Sequence, residues 1–259
     1  MTGIYFSGTG NTKFCVTHFL EKCGGGNAYP IENKEAASAL SEDSDIVLGY
    51  PVYYSSLPMI VRDFIEQNAE LWRGKNVFVI ATMGLFSGDG AGVSARLLKK
   101  HGARITGGLH VKMPDCIGDV KALKKSHEKN REIIKQAERK LDGAAEMLQS
   151  GKPPREGLNF FYHIAGLFGQ RMWFGSKTKH YTRNPKIDKK KCVDCGACVR
   201  LCPMGNISLQ DRKAVSGNRC TMCYRCFSNC PRKAITIIGK KVIVQYRFAG
   251  FTSKQSSDL

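Results

Sequence analysis

The chain reads as a doubly wound α/β domain built on five parallel strands, followed by a small cysteine-rich α+β module. Three observations predict this. Apolar, strand-like runs alternate with helical stretches over residues 1–150. A loop of small and hydroxyl-bearing residues joins the first strand to the first helix. Eight of the 11 cysteines fall between positions 192 and 230.

The first strand opens at once with Met1-Thr-Gly-Ile-Tyr-Phe6 and runs into Ser7-Gly8-Thr9-Gly10-Asn11-Thr12. A helix is expected from about Lys13, carrying Phe14, Val16, Phe19 and Leu20 on its apolar side. Further strands are expected near 28–31 and at 45–50, 76–82 and 105–112, with helices at 58–70, 91–101 and 120–149. Continuous apolar strands between helices indicate a parallel sheet covered on both faces. In such sheets ligands bind beyond the carboxyl ends of the strands. The loops Ser7–Thr12, Pro51–Leu57 and Thr82–Ala91 meet at that end. The first suits an anion, because backbone N–H groups at a helix N-terminus favour negative charge and hydroxyls add donors. It lacks the Gly-Lys-[Ser/Thr] ending of a Walker loop and the G-x-G-x-x-G spacing of a dinucleotide site.

These loops resemble those of flavodoxins, over about residues 1–150. Ser7-Gly8-Thr9-Gly10-Asn11-Thr12 matches that family's phosphate loop, its most specific feature. Pro51-Val52-Tyr53-Tyr54 falls where the family sets an aromatic against the flavin ring. Thr82-Met83-Gly84-Leu85-Phe86-Ser87-Gly88 falls where it sets a second ring-contacting loop. The resemblance implies FMN as cofactor, stacked on Tyr53 or Tyr54, with backbone of the 82–90 loop at its edge. Read without the resemblance, the two tyrosines are half-buried aromatics flanking a turn, and Gly84, Gly88, Gly90 and Gly92 are turn glycines. Flavodoxins are typically acidic, whereas residues 1–115 hold 11 basic and 11 acidic residues.

The stretch Ser150-Gly-Lys-Pro-Pro154 stops the long helix. Leu158, Phe160, Phe161, Ile164, Leu167, Phe168, Met172 and Trp173 then recur at roughly helical spacing. A helix packed between two domains is the expectation, and a partner-docking or membrane-surface helix the alternative.

Cys192-x2-Cys195-x2-Cys198-x3-Cys202-Pro203 and Cys220-x2-Cys223-x2-Cys226-x3-Cys230-Pro231 are two copies of C-x2-C-x2-C-x3-C-P, the run that wraps cubane iron–sulfur clusters. Zinc also takes C-x2-C pairs, but in two spaced pairs rather than four cysteines in one block. The region resembles bacterial two-cluster ferredoxins over 184–240, with all eight cysteines and both prolines intact. In that family the fourth cysteine of each run serves the other cluster. This implies one [4Fe-4S] cluster on Cys192, Cys195, Cys198 and Cys230, and a second on Cys220, Cys223, Cys226 and Cys202.

The formal charge of +18 lies wholly in residues 116–259, with 29 basic and 11 acidic residues. Oxidised cubanes with four thiolates carry about −2 each, so most of the excess survives. A basic face of this kind fits a redox partner with an acidic docking surface. Scattered thiols (Cys15, Cys23, Cys116) and oxygen-sensitive clusters fit a reducing cytoplasm. No signal-type stretch opens the sequence, and no run reaches the roughly 20 apolar residues of a membrane span. The six histidines show no metal spacing.

The expected organisation is a flavodoxin-like FMN domain at 1–150, a linker with an interdomain helix at 151–183, a ferredoxin domain with two [4Fe-4S] clusters at 184–240, and a tail at 241–259 that matches no pattern. The combination resembles the flavodoxin–ferredoxin fusion proteins of anaerobes. It implies an electron-transfer protein relaying between a low-potential donor and a partner enzyme. The alternative is an FMN-dependent reductase of a small substrate fed by its own clusters, though no acid–base constellation stands out. A sensor that binds nucleic acid through the basic half would need a DNA-binding motif, which the sequence lacks, so nucleic acid is not expected. The sequence sets no oligomeric state.

Overall fold

In the computed structural model, which describes residues 1–53, 56–85, 88–159 and 185–252, five parallel strands run in the order β2-β1-β3-β4-β5. These are β1 (Thr2–Tyr5), β2 (Ala28–Pro30), β3 (Asp45–Pro51), β4 (Asn76–Met83) and β5 (Arg104–Lys112). Helices α1 (Asn11–Lys22), α2 (Glu35–Glu42), α3 (Met59–Gln67), α4 (Gly90–Lys100) and α5 (His127–Gln149) cover the faces. One core holds Ile4, Ile46, Leu48, Val77 and Val79 under α2–α4. The other holds Val16, Phe19, Phe78, Leu109 and Leu141 under α1 and α5. This is the doubly wound sheet expected from the continuous apolar strands.

The strand order reverses between β1 and β3, which opens a crevice at their carboxyl ends. Helix α1 starts there and lies close to the sheet, because a Cβ at Gly49 of β3 would overlap the Val16 side chain. Helix α2 was not anticipated from the sequence. Helix α5 begins at His127 rather than 120, since the Ser126 hydroxyl accepts from the Lys129 N–H at 3.1 Å and fixes the N-terminus there. Residues 113–126 are freed to cross the carboxyl end of the sheet. Beyond α5, Gly108 of β5 donates its N–H to Pro154 and accepts from Glu156, and Leu158 packs on the first core. The interdomain helix expected over 158–173 lies almost wholly outside the described residues.

The cysteine-rich module contains a short antiparallel pair, β6 (Lys186–Ile187) with β9 (Ile235–Thr236), and a hairpin of β7 (Ile207–Gln210) and β8 (Lys213–Ser216). Each cysteine run ends in a five-residue helix, α6 (Ala197–Leu201) and α7 (Arg225–Asn229). The two runs share a backbone pattern: Asp194 and Met222 are left-handed, as are the helix N-caps Gly196 and Tyr224.

Residues 241–252 return to the α/β domain. Gly118 O accepts from the N–H groups of Ile243 and Val244, both at 2.9 Å, and the Tyr246 hydroxyl donates to Lys125 O. Phe248 stacks on Phe14 of α1 with ring centroids 4.4 Å apart and donates its N–H to Thr9 O. The short helix α8 (Ala249–Thr252) buries Phe251 in the second core.

Candidate functional site

A cavity of about 450 Å³ occupies the crevice. Ser7, Gly8, Thr9, Asn11 and Thr12 form one side, Pro51, Val52 and Tyr53 a second, and Thr82, Met83, Gly84 and Leu85 a third. Gly10 and Gly88 do not line it, and Tyr54 and Phe86 lie outside the described residues. Short bonds tie the walls together. Gly10 N donates to Ser7 Oγ at 3.1 Å, the Thr12 and Thr82 hydroxyls meet at 2.8 Å, and Val52 N donates to Thr82 O at 2.8 Å.

The remaining lining was not read from the sequence. It comprises Met113, Pro114, Asp115, Cys116, Ile117, Val120 and Leu123 after β5, and Met222, Cys223, Tyr224 and Ile238 of the cysteine-rich module. Asn11 Nδ2 donates to Pro114 O at 2.8 Å, which fastens this segment to the first loop. Asp115 packs so closely on Gly84 that a Cβ there would lie 2.5 Å from its Oδ2. Burial raises the Asp115 carboxyl above its ordinary range, and burial likewise raises the Cys116 thiol. In the sequence Cys223 is marked only as a cluster ligand, and Cys116 only as a free thiol without a motif.

The residues present fit FMN. The cavity lies within the volume range of ligand pockets. The N-terminus of α1 has no side-chain cap, so its first N–H groups are available to an anion at the Ser7–Thr12 loop. Among the described residues the lining holds no lysine, arginine or histidine. Phosphate would therefore be held by backbone N–H groups and hydroxyls. Arg225 stands behind the loop, donating to Ser7 O at 2.8 Å, pairing with Glu32 and lying over the Phe6 ring.

Two smaller cavities lie in the cysteine-rich module. Cys192, Cys195, Cys198 and Cys230 line one, and Cys202, Cys220, Cys223 and Cys226 line the other. Thus each run contributes three cysteines to one cavity and its fourth to the other. No three potential ligands among the described residues converge as around a single metal ion; each quartet surrounds a space, as a cubane with one thiolate per iron requires. Backbone N–H groups point at the sulfurs: Ala214 at Cys192 and Ala234 at Cys230 in the first set, Asn206 at Cys202 and Met222 at Cys220 in the second. Such bonds tune cluster potentials. Burial pushes the thiol of Cys220 up to about 11 and that of Cys223 up to about 12. Iron must displace those protons on binding.

Cys223 and Tyr224 line both the second cysteine cavity and the large cavity. The contact is close, because a Cβ at Gly8 would overlap the Cys223 carbonyl oxygen. Tyr224 occupies the left-handed position that glycine fills in the first run, a conformation that costs a non-glycine residue about 1–2 kcal/mol. Its hydroxyl donates to Asp119 Oδ1 at 2.9 Å, and Asp119 Oδ2 accepts from the N–H groups of Ile237, Ile238 and Gly239 at 2.7–3.0 Å. This buried carboxylate joins the two modules.

Family models agree with this geometry. A flavodoxin domain matches residues 4–118 and a 4Fe-4S dicluster domain matches residues 191–234. Similar solved structures include the two-electron reduced flavodoxin of Megasphaera elsdenii, 25% identical, covering 44% of this chain and 89% of that one with a TM-score of 0.40. A Streptococcus pneumonia TIGR4 flavodoxin is 19% identical, covering 57% and 97%, TM-score 0.42. A flavodoxin from the domain Archaea is 15% identical, covering 57% and 99%, TM-score 0.40. Among curated proteins nothing matches the chain. The domain matches, together with the sheet order and the paired cysteine runs, make the chain a flavodoxin–ferredoxin fusion, an electron-transfer protein of FMN and iron–sulfur type.

Proposed function

We propose that the protein is an internal electron relay in which two [4Fe-4S] clusters and FMN connect a low-potential donor to a partner enzyme. The first cluster belongs to Cys192, Cys195, Cys198 and Cys230, the second to Cys202, Cys220, Cys223 and Cys226. Clusters exchange single electrons and flavin one or two, so the pair couples one-electron to two-electron chemistry. One observation carries the reading: Cys223 and Tyr224 form a wall common to the second cysteine cavity and the flavin cavity. The Ser7–Thr12 loop holds phosphate, Tyr53 offers its ring, and the Met222–Tyr224 segment excludes water between the two sites. Free thiols support a reducing compartment, the cytoplasm, and no described helix is long and apolar enough to cross a membrane.

Anaerobic reconstitution of the full chain tests this. Iron and sulfide should bind in the amount two cubanes require, FMN should bind in equal proportion to protein, and photoreduced clusters should be re-oxidised through the flavin. In Cys202→Ser the cluster sharing Cys220, Cys223 and Cys226 should be damaged, and flavin-coupled re-oxidation should slow by at least about tenfold. Loss of the Cys192 cluster instead would overturn the assignment, and absence of FMN the relay. A second reading, reduction of a small substrate, is favoured by Asp115, an acid with a raised pKa in the cavity wall. Steady-state turnover of a small acceptor that is lost in Asp115→Asn would support it.

A further inference from the structure

The two cysteine cavities face different surroundings. The second abuts the flavin cavity, whereas the first opens outward, with Cys195 exposed at its lip. Val193 and Leu209 line that same cavity and are 54% and 44% exposed, two of only six large apolar side chains so exposed among the described residues. Cations surround this apolar doublet. Arg200 donates to Cys195 O at 3.2 Å, Arg212 to Asp194 at 3.4 Å and Lys213 to Cys192 O at 2.8 Å, while Arg232 lines the cavity.

The hairpin that presents Arg212 is itself strained. Its turn residues Asp211 and Arg212 have φ of 47° and 56°, in positions where a two-residue hairpin turn prefers Asn or Gly. That turn holds Arg212 nearly fully exposed, at 90%, beside Asp194. Residues 185–240 contain 12 Lys and Arg against three Asp, a net +9, which two oxidised clusters lower by only about 4. Apolar groups at the centre and charge at the rim match the anatomy of a protein interface, and a uniform sign of charge steers an oppositely charged partner.

We infer that the face around Cys195, centred on Val193 and Leu209 and rimmed by Arg200, Arg212 and Arg232, docks an acidic one-electron carrier protein. The inference rests on the relay reading and assigns its outward terminal. Charge complementarity selects the partner: an electron carrier with a basic surface would be repelled, while an acidic one brings its own redox centre to the exposed cysteine. Close approach is what a cluster buried at the flavin side cannot offer to an outside protein.

The holoprotein should be titrated with an acidic two-cluster ferredoxin, reading dissociation constant by calorimetry and electron transfer by stopped flow. Affinity should fall about tenfold or more between roughly 50 mM and 500 mM salt. Arg200→Glu/Arg212→Glu/Arg232→Glu, which reverses the rim, should weaken binding at low salt by about tenfold or more and flatten its salt dependence. A triple reversal of equal charge on the flavodoxin domain, Lys99→Glu/Lys135→Glu/Arg139→Glu, should change it less than about threefold. Equal losses in the two variants, salt-independent binding, or tighter binding to a DNA duplex than to the ferredoxin would overturn the docking face. Iron content and the visible spectrum, measured on each sample, separate that outcome from failure of the relay itself. A wild-type chain without cubanes would bring down both.

Discussion

Asp119→Ala is expected to loosen the joint between the two modules and to do so at a definable place. Asp119 is 4% exposed, and its carboxylate accepts four hydrogen bonds, from Tyr224 Oη and from the N–H groups of Ile237, Ile238 and Gly239. A hydrogen bond to a charged group contributes about 1.5–3 kcal/mol, and each buried donor left without a partner costs about 1–3 kcal/mol. The four are not additive, because three share one oxygen and water will enter the vacated space. A loss of about 3–5 kcal/mol is therefore expected, typical of breaking one side of a buried charged cluster. By the usual factor of ten per 1.36 kcal/mol, local opening should become more than about 100-fold easier. Hydrogen exchange read by mass spectrometry, cofactors bound, should show that acceleration at residues 237–239 and in the 222–224 segment, but not in β3 or β4. Asp119→Asn, which keeps an acceptor oxygen, should cost only about 1–2 kcal/mol. Exchange at 237–239 within about threefold of wild type in Asp119→Ala would refute the reasoning.

Other expectations concern single residues. Gly8→Ala should force the first loop away from the Cys223 carbonyl, costing about 1–3 kcal/mol of stability and weakening FMN binding by about tenfold or more. Thermal melts and fluorimetric FMN titration would check it, against Gly143→Ala in α5. That site has nothing within 4 Å of a new Cβ, and the substitution should stabilise by about 0.5–1 kcal/mol. His110 accepts from the Ala91 N–H at 3.2 Å, and desolvation lowers its pKa from 6.5 to about 4. The unfolded chain therefore takes up this proton first, so stability is intact above pH 6.5 and declines as pH falls toward about 4. At most about 3 kcal/mol is lost through this group, its partial exposure trimming the figure. His110→Gln, which can still accept from Ala91, should flatten that part of the urea-midpoint profile; an unchanged slope between pH 6.5 and 4 would remove His110 as the cause.

Much of this architecture was legible in the sequence because its determinants are local. Five apolar strands, the Ser7–Thr12 loop and the paired cysteine runs each carry their own spacing, and the structure gathers the loops at one end of the sheet. What escaped depends on contacts far apart in the chain. Asp119 meets its partners 105 to 120 residues away, with nothing near it to mark a carboxylate headed for burial. Apolar periodicity through Leu123 predicts a helix from residue 120, yet the Ser126 cap starts α5 at His127 and leaves 113–123 to line the cavity. The tail 241–252 has too few regular apolar repeats to announce that Tyr246, Phe248 and Phe251 are buried or stacked. Tyr224 has a trace in the sequence: a bulky residue where the sister run has Gly196.

The return of residues 244–252 to the first loop imposes an order on assembly. A ribosome delivers β1–β5 first, and domains fold as units while synthesis proceeds. The strap that lays Phe248 against Phe14 and bonds to Thr9 emerges only after both cysteine runs have done so. During that interval the nascent flavodoxin sheet stands with its cofactor crevice unroofed, open to incoming FMN, and Phe14 still faces water. The crevice thus acquires its Met222–Tyr224 wall only once the cysteine-rich module has been made, and the strap then fastens the first loop from behind.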